Sequence, residues 1–314
     1  MQYTIRHVTT FTYEAPISES VMEARMQPRT DGSQRCIRFA LSTTPVARVR
    51  MYHDHDGNVV HHFNIAGRHS RLIVTAEALV DCTASGEYAA PEPEWTDVDA
   101  SVASGEFWDL INPSPYTRPT PLLAALSREI EITRHCRPLE ALHRLTQEIH
   151  RRFEYNRSST RVDSPIDDAL SQRRGVCQDF AHVFIALVRA LGIPCRYVSG
   201  YLYRPPDSEL RSTDGATHAW AEAWLPGAGW IGFDPTNNVL AGERHVRVAV
   251  GRDYADVPPT RGVFKGVSNV RSELAVGVAV GVAAGFTGDT PTFVPWMSQD
   301  ASLPLVDAEA SQQQ

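Results

Sequence analysis

One thiol, one imidazole and one carboxylate stand in an order that suits nucleophilic catalysis by a cysteine. Cys177 lies in Arg173-Arg-Gly-Val-Cys-Gln-Asp-Phe-Ala-His182, and Phe180, Val183, Phe184, Leu187 and Leu191 then recur at the spacing of a helix with one buried face. Gly175 allows a tight turn into that helix, and Gly192 and Pro194 end it. Cys177 therefore falls at the first helical turn, where unpaired backbone N–H groups and the positive end of the helix dipole favour a thiolate. A cysteine nucleophile also needs a base and a group that orients the base. Ala216-Thr-His-Ala-Trp-Ala-Glu-Ala-Trp224 and Trp230-Ile-Gly-Phe-Asp-Pro-Thr236 supply both, in His218 and Asp234.

The elements that carry these two residues are strands. From Thr217 to Leu225 the chain alternates, with His218, Trp220, Glu222 and Trp224 on one face and alanines on the other, and Pro226-Gly-Ala-Gly229 turns it into a second strand ending at Asp234. Antiparallel neighbours bring His218 and Asp234 within a step or two of each other. Glu222 is a rival orienting carboxylate, but it lies nearer the turn, where a structural role is expected. His182 sits inside the nucleophile helix and reads as a packing or hydrogen-bonding residue. The plain alternative for Cys177 is a buried helix cysteine. Polar Gln178 and Asp179 after it, and the two downstream blocks, favour the nucleophile.

Taken together, Gly-Val-Cys-Gln-Asp-Phe-Ala around Cys177, Thr-His-Ala-Trp-Ala-Glu around His218 and Gly-Trp-Ile-Gly-Phe-Asp-Pro-Thr around Asp234 resemble the bacterial transglutaminase-like family. Gly192-Ile-Pro-Cys-Arg-Tyr-Val-Ser-Gly200 and Gly251-Arg-Asp-Tyr-Ala-Asp-Val-Pro258 resemble it too, and the N-terminal stretch with Asp56-Gly-Asn58 and Arg68-His-Ser-Arg-Leu72 resembles its accessory β-domain. The resemblance covers the chain to about Gly266. It implies a papain-like transglutaminase core that carries an acyl group from an amide on Cys177, with His218 as proton carrier and Asp234 as its orienting partner. The acyl acceptor is an amine or water. Hydrolysis of an amide or peptide is the favoured reading, because nothing in the sequence marks a second binding site. A non-catalytic module of the same fold is the competing class, and the presence of all three residues argues against it. Tyr155 lies where related enzymes often place a donor near the cysteine, and remains open between an oxyanion-hole donor and a structural tyrosine.

The expected fold is α+β. Residues 1–85 carry strand patterns broken at Ala15-Pro16, Thr30-Asp-Gly-Ser33, Asp56-Gly-Asn58 and Ala66-Gly67, and read as an antiparallel β-domain. Residues 86–120 are acidic and proline-rich and read as a surface linker. The catalytic core spans 121–270, with helices over Leu122–Ile132 and Pro138–Phe153, a short one over Asp163–Leu170, the nucleophile helix, and a strand from Cys195 to Tyr203. Pro205 to Gly215 makes a loop before His218. Valines alternate at 246, 248 and 250 in one further strand, and at 276, 278, 280 and 282 in another, which adds to a sheet over 271–285. Residues 286–314 read as a mobile tail.

Composition narrows the function. With 314 residues, 42% hydrophobic and 21% charged, the chain suits a globular protein of two domains, and its net charge of -7 argues against nucleic acid as a partner. No apolar run approaches the ~20 residues of a membrane helix, and the N-terminus lacks a secretory h-region, so a cytoplasmic protein is expected. Five cysteines without a Cys-x-x-Cys pair suit a reducing compartment. Met51-Tyr-His-Asp-His-Asp-Gly-Asn-Val-Val-His-His62 is rich in metal-binding types but has no ligand spacing, and reads as the ends of a hairpin. No phosphate loop, dinucleotide fingerprint or calcium loop is present, so neither cofactor nor metal is expected.

Overall fold

In the computed structural model, which describes residues 1–83, 92–205, 207–212, 215–266, 270–283 and 306–307, the alternating N-terminal patterns become four strands. These are β1 (Gln2–Ala24), β2 (Gln34–Thr44), β3 (Arg50–His53) and β4 (Val59–Cys82). β1 and β4, of 23 and 24 residues, run antiparallel from the pair Gln2↔Asp81 to Ala24↔His61. Their register slips between Thr12 and Glu19, around Pro16, which has no N–H to give a ladder. β2 and β3 both pair with the far edge of β4.

The stretch 86–120, read from its composition as a surface linker, instead contains α1 (Trp95–Ala103) and α2 (Trp108–Ile111). Asp97 accepts the Glu94 backbone N–H at 2.9 Å and starts α1, while the Trp95 indole N–H donates to the Cys136 carbonyl at 2.7 Å. Val98 is buried in the main core, and the Phe107 ring packs against Trp224 with centroids 5.0 Å apart. Three aromatic or aliphatic anchors thus outweigh the polar background. Further on, the buried Arg189 guanidinium donates to the carbonyls of Asn112, Cys195 and Arg252 and to Thr117 Oγ1, tying this stretch to the core.

The core follows the helical and strand patterns closely. α3 (Pro121–Ile130), α4 (Pro138–Arg152), β5 (Glu154–Tyr155), α5 (Ile166–Gln172), β6 (Arg174–Gly175) and α6 (Cys177–Ala190) come first. Proline is tolerated at the first turn of α3 and α4, where the missing N–H has no helical partner. β7 (Cys195–Leu202), β8 (His218–Leu225), β9 (Gly229–Asp234), β10 (Val239–Leu240) and β11 (His245–Gly251) form an antiparallel sheet in the order β10-β9-β8-β7-β11. The alanine face of β8, with Ala219, Ala221 and Ala223, lies in one core with Phe180, Val183, Phe184 and Leu187 of α6. Small side chains on the strand let the helix approach, and each large apolar side chain buried there contributes about 1.5–3 kcal/mol. Gly192, at φ 81°, closes α6 in the left-handed conformation that glycine tolerates, and the Ile193 N–H reaches back to the Val188 carbonyl at 3.2 Å.

Two last strands, β12 (Thr260–Lys265) and β13 (Ser272–Val282), return to the first sheet and pair with β1 from Glu19 to Ala24 and from Tyr3 to Tyr13. The tail from 286 lies outside the described residues apart from β14 (Val306–Asp307), which pairs with β13. Among the described residues no helix is long and apolar enough to cross a membrane. All five cysteines are free.

Carboxamides join the two sheets. Gln34 accepts from the Arg247 N–H at 2.7 Å and donates to the Arg247 carbonyl at 2.8 Å; Asn58 makes the same pair of bonds to Val250, both at 2.8 Å. The two anchored residues are three apart because β11 bulges between Arg247 and Ala249. Asn58 comes from the histidine-rich hairpin. There Asp54 accepts the Asp56 and Asn58 backbone N–H groups and braces the Asn58 amide, so the turn serves docking.

Candidate active site

Cys177 is the first residue of α6 and is partly exposed. The turn into it is held by Asp179, whose Oδ2 accepts the Val176 N–H at 2.8 Å and the Thr160 hydroxyl at 2.5 Å. This satisfies one of the free N–H groups at the helix start. Asp179 is buried, which pushes its carboxyl up to about 6 despite those two bonds. Parallel pairing of β5 with β6 sets Tyr155 beside Gly175, two residues before the thiol.

His218 opens β8 and Asp234 ends β9. The β8–β9 register pairs Ala221 with Phe233, so Asp234 stands one step on, across from position 220 and diagonal to His218. His218 Nε2 lies 2.8 Å from Asp234 Oδ2, and both side chains are buried. Burial alone would make the His218 imidazole harder to protonate. The Asp234 carboxylate, the hydrogen bond to it and the neighbouring Cys177 outweigh that and raise its pKa to about 10. With Nε2 on the carboxylate, Nδ1 is the nitrogen left for the thiol.

Asp234 is itself fixed from every side. Its Oδ1 accepts the backbone N–H groups of Thr236 and Asn237 at 3.0 and 3.2 Å. Its Oδ2 accepts the Asn237 amide at 2.7 Å, His218 at 2.8 Å and His245 Nε2 at 3.2 Å. Burial alone would favour the neutral acid, yet the His218 charge and these donors hold the carboxyl well below its usual range.

Glu222 is engaged elsewhere. It takes Arg196 at 2.7 Å and Arg247 at 3.4 Å, and Arg196 also lies over the Trp230 ring at 4.1 Å. His182 stacks on Tyr116 at 5.1 Å and accepts the Tyr254 N–H at Nε2, while burial drives its pKa down to about 3. It is a neutral packing residue.

Comparison with known proteins places the chain in a family. Residues 125–235 match the model of the transglutaminase-like superfamily, and residues 3–81 match the bacterial transglutaminase-like N-terminal region. The chain is 37% identical over 261 residues to an uncharacterised protein of Mycobacterium leprae, spanning 83% of this chain and 92% of that one. The chain belongs to the bacterial transglutaminase-like family. A crystal structure of a proposed cysteine protease from Cytophaga hutchinsonii superposes with a TM-score of 0.70 at 25% identity, covering 91% of this chain and 92% of that one. A protein-glutamine gamma-glutamyltransferase of Pseudomonas aeruginosa is 33% identical over 125 residues, 38% of this chain but 19% of its own length.

In this transglutaminase-like core, pattern reading marked neither Asn237, beside Asp234, nor His245. His245 stands at the head of a valine-alternating strand and reaches Asp234 only because the chain crosses from β10 to β11 over the face of the sheet. The Ala241 N–H donates to the Gly232 carbonyl at 2.8 Å on the way, and a side chain on Gly232 would strike Ala241. The donor atoms of His218, Asp234 and His245 lie within 4.8 Å of one another, a spacing that a metal can bridge. However, the Gly242 N–H donates to His245 Nδ1 at 3.3 Å, which leaves the proton on Nε2 and makes that nitrogen a donor to the carboxylate.

Proposed function

We propose that this transglutaminase-like chain is a thiol enzyme that opens amide bonds through a thioester on Cys177 and passes the acyl group to water. The observation that carries the reading is the buried pair of His218 and Asp234, with Nε2 2.8 Å from the carboxylate, and the Cys177 thiol close enough to His218 to favour its charged form. The Cys177 sulfur attacks the amide carbonyl, and the proton that passed from the thiol to His218 goes to the leaving amine as the C–N bond breaks. His218 then takes a proton from water, the hydroxide adds to the thioester, and the acid leaves as Cys177 regains a proton. Asp234 keeps the imidazole in one tautomer and balances its charge through both halves.

Water is favoured over an amine by the likeness to the Cytophaga hutchinsonii protein over nine-tenths of the chain. Transfer is the second reading, and it rests on the partial match to the Pseudomonas aeruginosa gamma-glutamyltransferase. Partition of the thioester separates them. The enzyme is incubated with a cleavable amide donor and a primary amine at rising concentration, and the products are resolved by mass. Free acid at every amine concentration supports hydrolysis. Saturable diversion of the acyl group to the amine, with free acid reduced to a trace, establishes transfer instead.

A further inference from the structure

We infer that His245 is a positioning residue for His218: its fixed, neutral Nε2–H shares the Asp234 carboxylate and so keeps the His218 imidazolium acidic enough to protonate a leaving amine. The inference rests on the thiol chemistry proposed above.

The geometry leaves His245 few alternatives. It is buried, and its ring packs edge-on to Trp220 with centroids 5.2 Å apart. The Gly242 backbone N–H occupies Nδ1, so a proton there would have to break that bond. Nε2–H therefore points its positive end at Asp234 Oδ2, 3.2 Å away, on the oxygen that His218 also uses. Burial lowers the His245 pKa further, against the pull of Asp234, and the charge on His218 opposes protonation as well. Of two imidazoles on one carboxylate, His218 is the one that carries charge.

That arrangement has a chemical use. A buried carboxylate held by one imidazole alone would stabilise the imidazolium strongly, and an imidazolium that holds its proton too firmly is a poor general acid. A second N–H on the same oxygen puts a positive dipole end near His218 and loosens the proton. Other titratable and charged groups near the pair include Cys177 on α6, His150 on α4, Arg211 beside His150, Arg244 in the crossover, and Glu222, Glu243 and Arg247, which line the cavity beside His245. None of them donates to Asp234 Oδ2, a position that only His218, Asn237 and His245 hold among the described residues.

The test needs no substrate. The rate of Cys177 alkylation by iodoacetamide is followed against pH in the full-length protein. Such a profile rises once as the thiolate–imidazolium pair forms, and again as the imidazolium loses its proton and leaves a bare thiolate. Removing the His245 donor with His245→Leu should move the second rise up by about one pH unit. His245→Gln keeps an amide N–H for Asp234 and should rise with the wild type. A merely structural role predicts the same profile in all folded variants. Coincident profiles for wild type and His245→Leu, with circular dichroism and urea midpoints showing both folded, overturn the inference. So does a shift in His245→Gln as large as in His245→Leu. Should the leucine variant fail to fold, His245→Asn takes its place: its shorter amide stops short of Asp234, so an upward shift supports the inference and an unmoved profile overturns it. Alkylation that survives Cys177→Ser sinks the thiol reading and this one together. A Cys177-dependent profile that ignores His245 sinks this one alone.

Discussion

Asp179 Oδ2 lies 2.6 Å from the point where a Cβ on Gly175 would stand. The carboxylate that secures the start of α6 thus occupies the space that any other residue at 175 would fill. Gly175→Ala must displace Asp179, and with it the turn that carries Cys177. Overpacking of this kind costs about 1–3 kcal/mol. Urea denaturation should show the loss, and iodoacetamide should label Cys177 more slowly than in wild type at the same pH. Unchanged values for both would mean that the turn relaxes without cost.

Cys177 should be the first cysteine to react with limiting iodoacetamide near neutral pH. Burial pushes the thiols of Cys82 and Cys195 up to about 11 and about 12, and raises that of Cys36. Cys177 is partly exposed at a helix start, with His218 as its neighbour. Peptide mapping by mass gives the order of modification. Faster labelling of Cys36 or Cys136 would remove the basis for a nucleophile at 177.

Two carboxylates on one face should behave differently. Asp234→Asn leaves His218 without its charge partner and lowers amide turnover by on the order of 10⁴. Glu222→Gln leaves Arg196 short of a counter-charge, Arg247 keeping Asp31 at 2.9 Å, which costs about 1–3 kcal/mol of stability, while turnover by the folded fraction stays within a few fold of wild type. Turnover and thermal unfolding measured on both variants separate the roles. Activity loss in Glu222→Gln exceeding that in Asp234→Asn would reverse the assignment.

Asp179 should make the fold less stable as pH rises. Its carboxyl sits at about 6 in the folded chain against an ordinary 3.8, so the folded state holds the proton more firmly than the unfolded one. Its contribution is then fully present below pH 3.8 and is lost as pH rises through about 6, a span worth roughly 3 kcal/mol. Asp179→Asn keeps an oxygen for the Val176 N–H and has no proton to lose. The stability difference between wild type and this variant, from urea midpoints between about pH 4 and 7, should shift against the wild type as pH increases. A flat difference would show that Asp179 ionises normally.

Local signals in the sequence reached most of this site. The apolar spacing after Cys177, glycine before it and the alternation around His218 each specify a neighbour a few residues away, and the short turn at Pro226 to Gly229 fixes how β8 and β9 meet. Elements set by distant contacts were not legible. α1 and α2 lie in an acidic, proline-rich stretch and are held by Trp95, which reaches Cys136, by Phe107, which reaches Trp224, and by Val98 in the main core. His245 is sixty-eight positions past Cys177 and eleven past Asp234, and only the crossover over Gly232 brings it there. Nor does composition reveal that Gln34 and Asn58 will each find a backbone partner more than 190 residues away.

Those two amides have a bearing on how the chain avoids self-association. β11 is the outermost strand of its sheet, and an open strand edge is a template on which a second molecule can add. A full neighbouring strand would cover that edge but expose another beyond it. Two side-chain amides, with one backbone N–H from Arg29 on the Arg247 carbonyl, satisfy the Arg247 and Val250 backbone groups without creating a new ladder. Docking the first sheet therefore blocks edge-to-edge growth of the second, and a core parted from its N-terminal partner would be left prone to aggregate through β11.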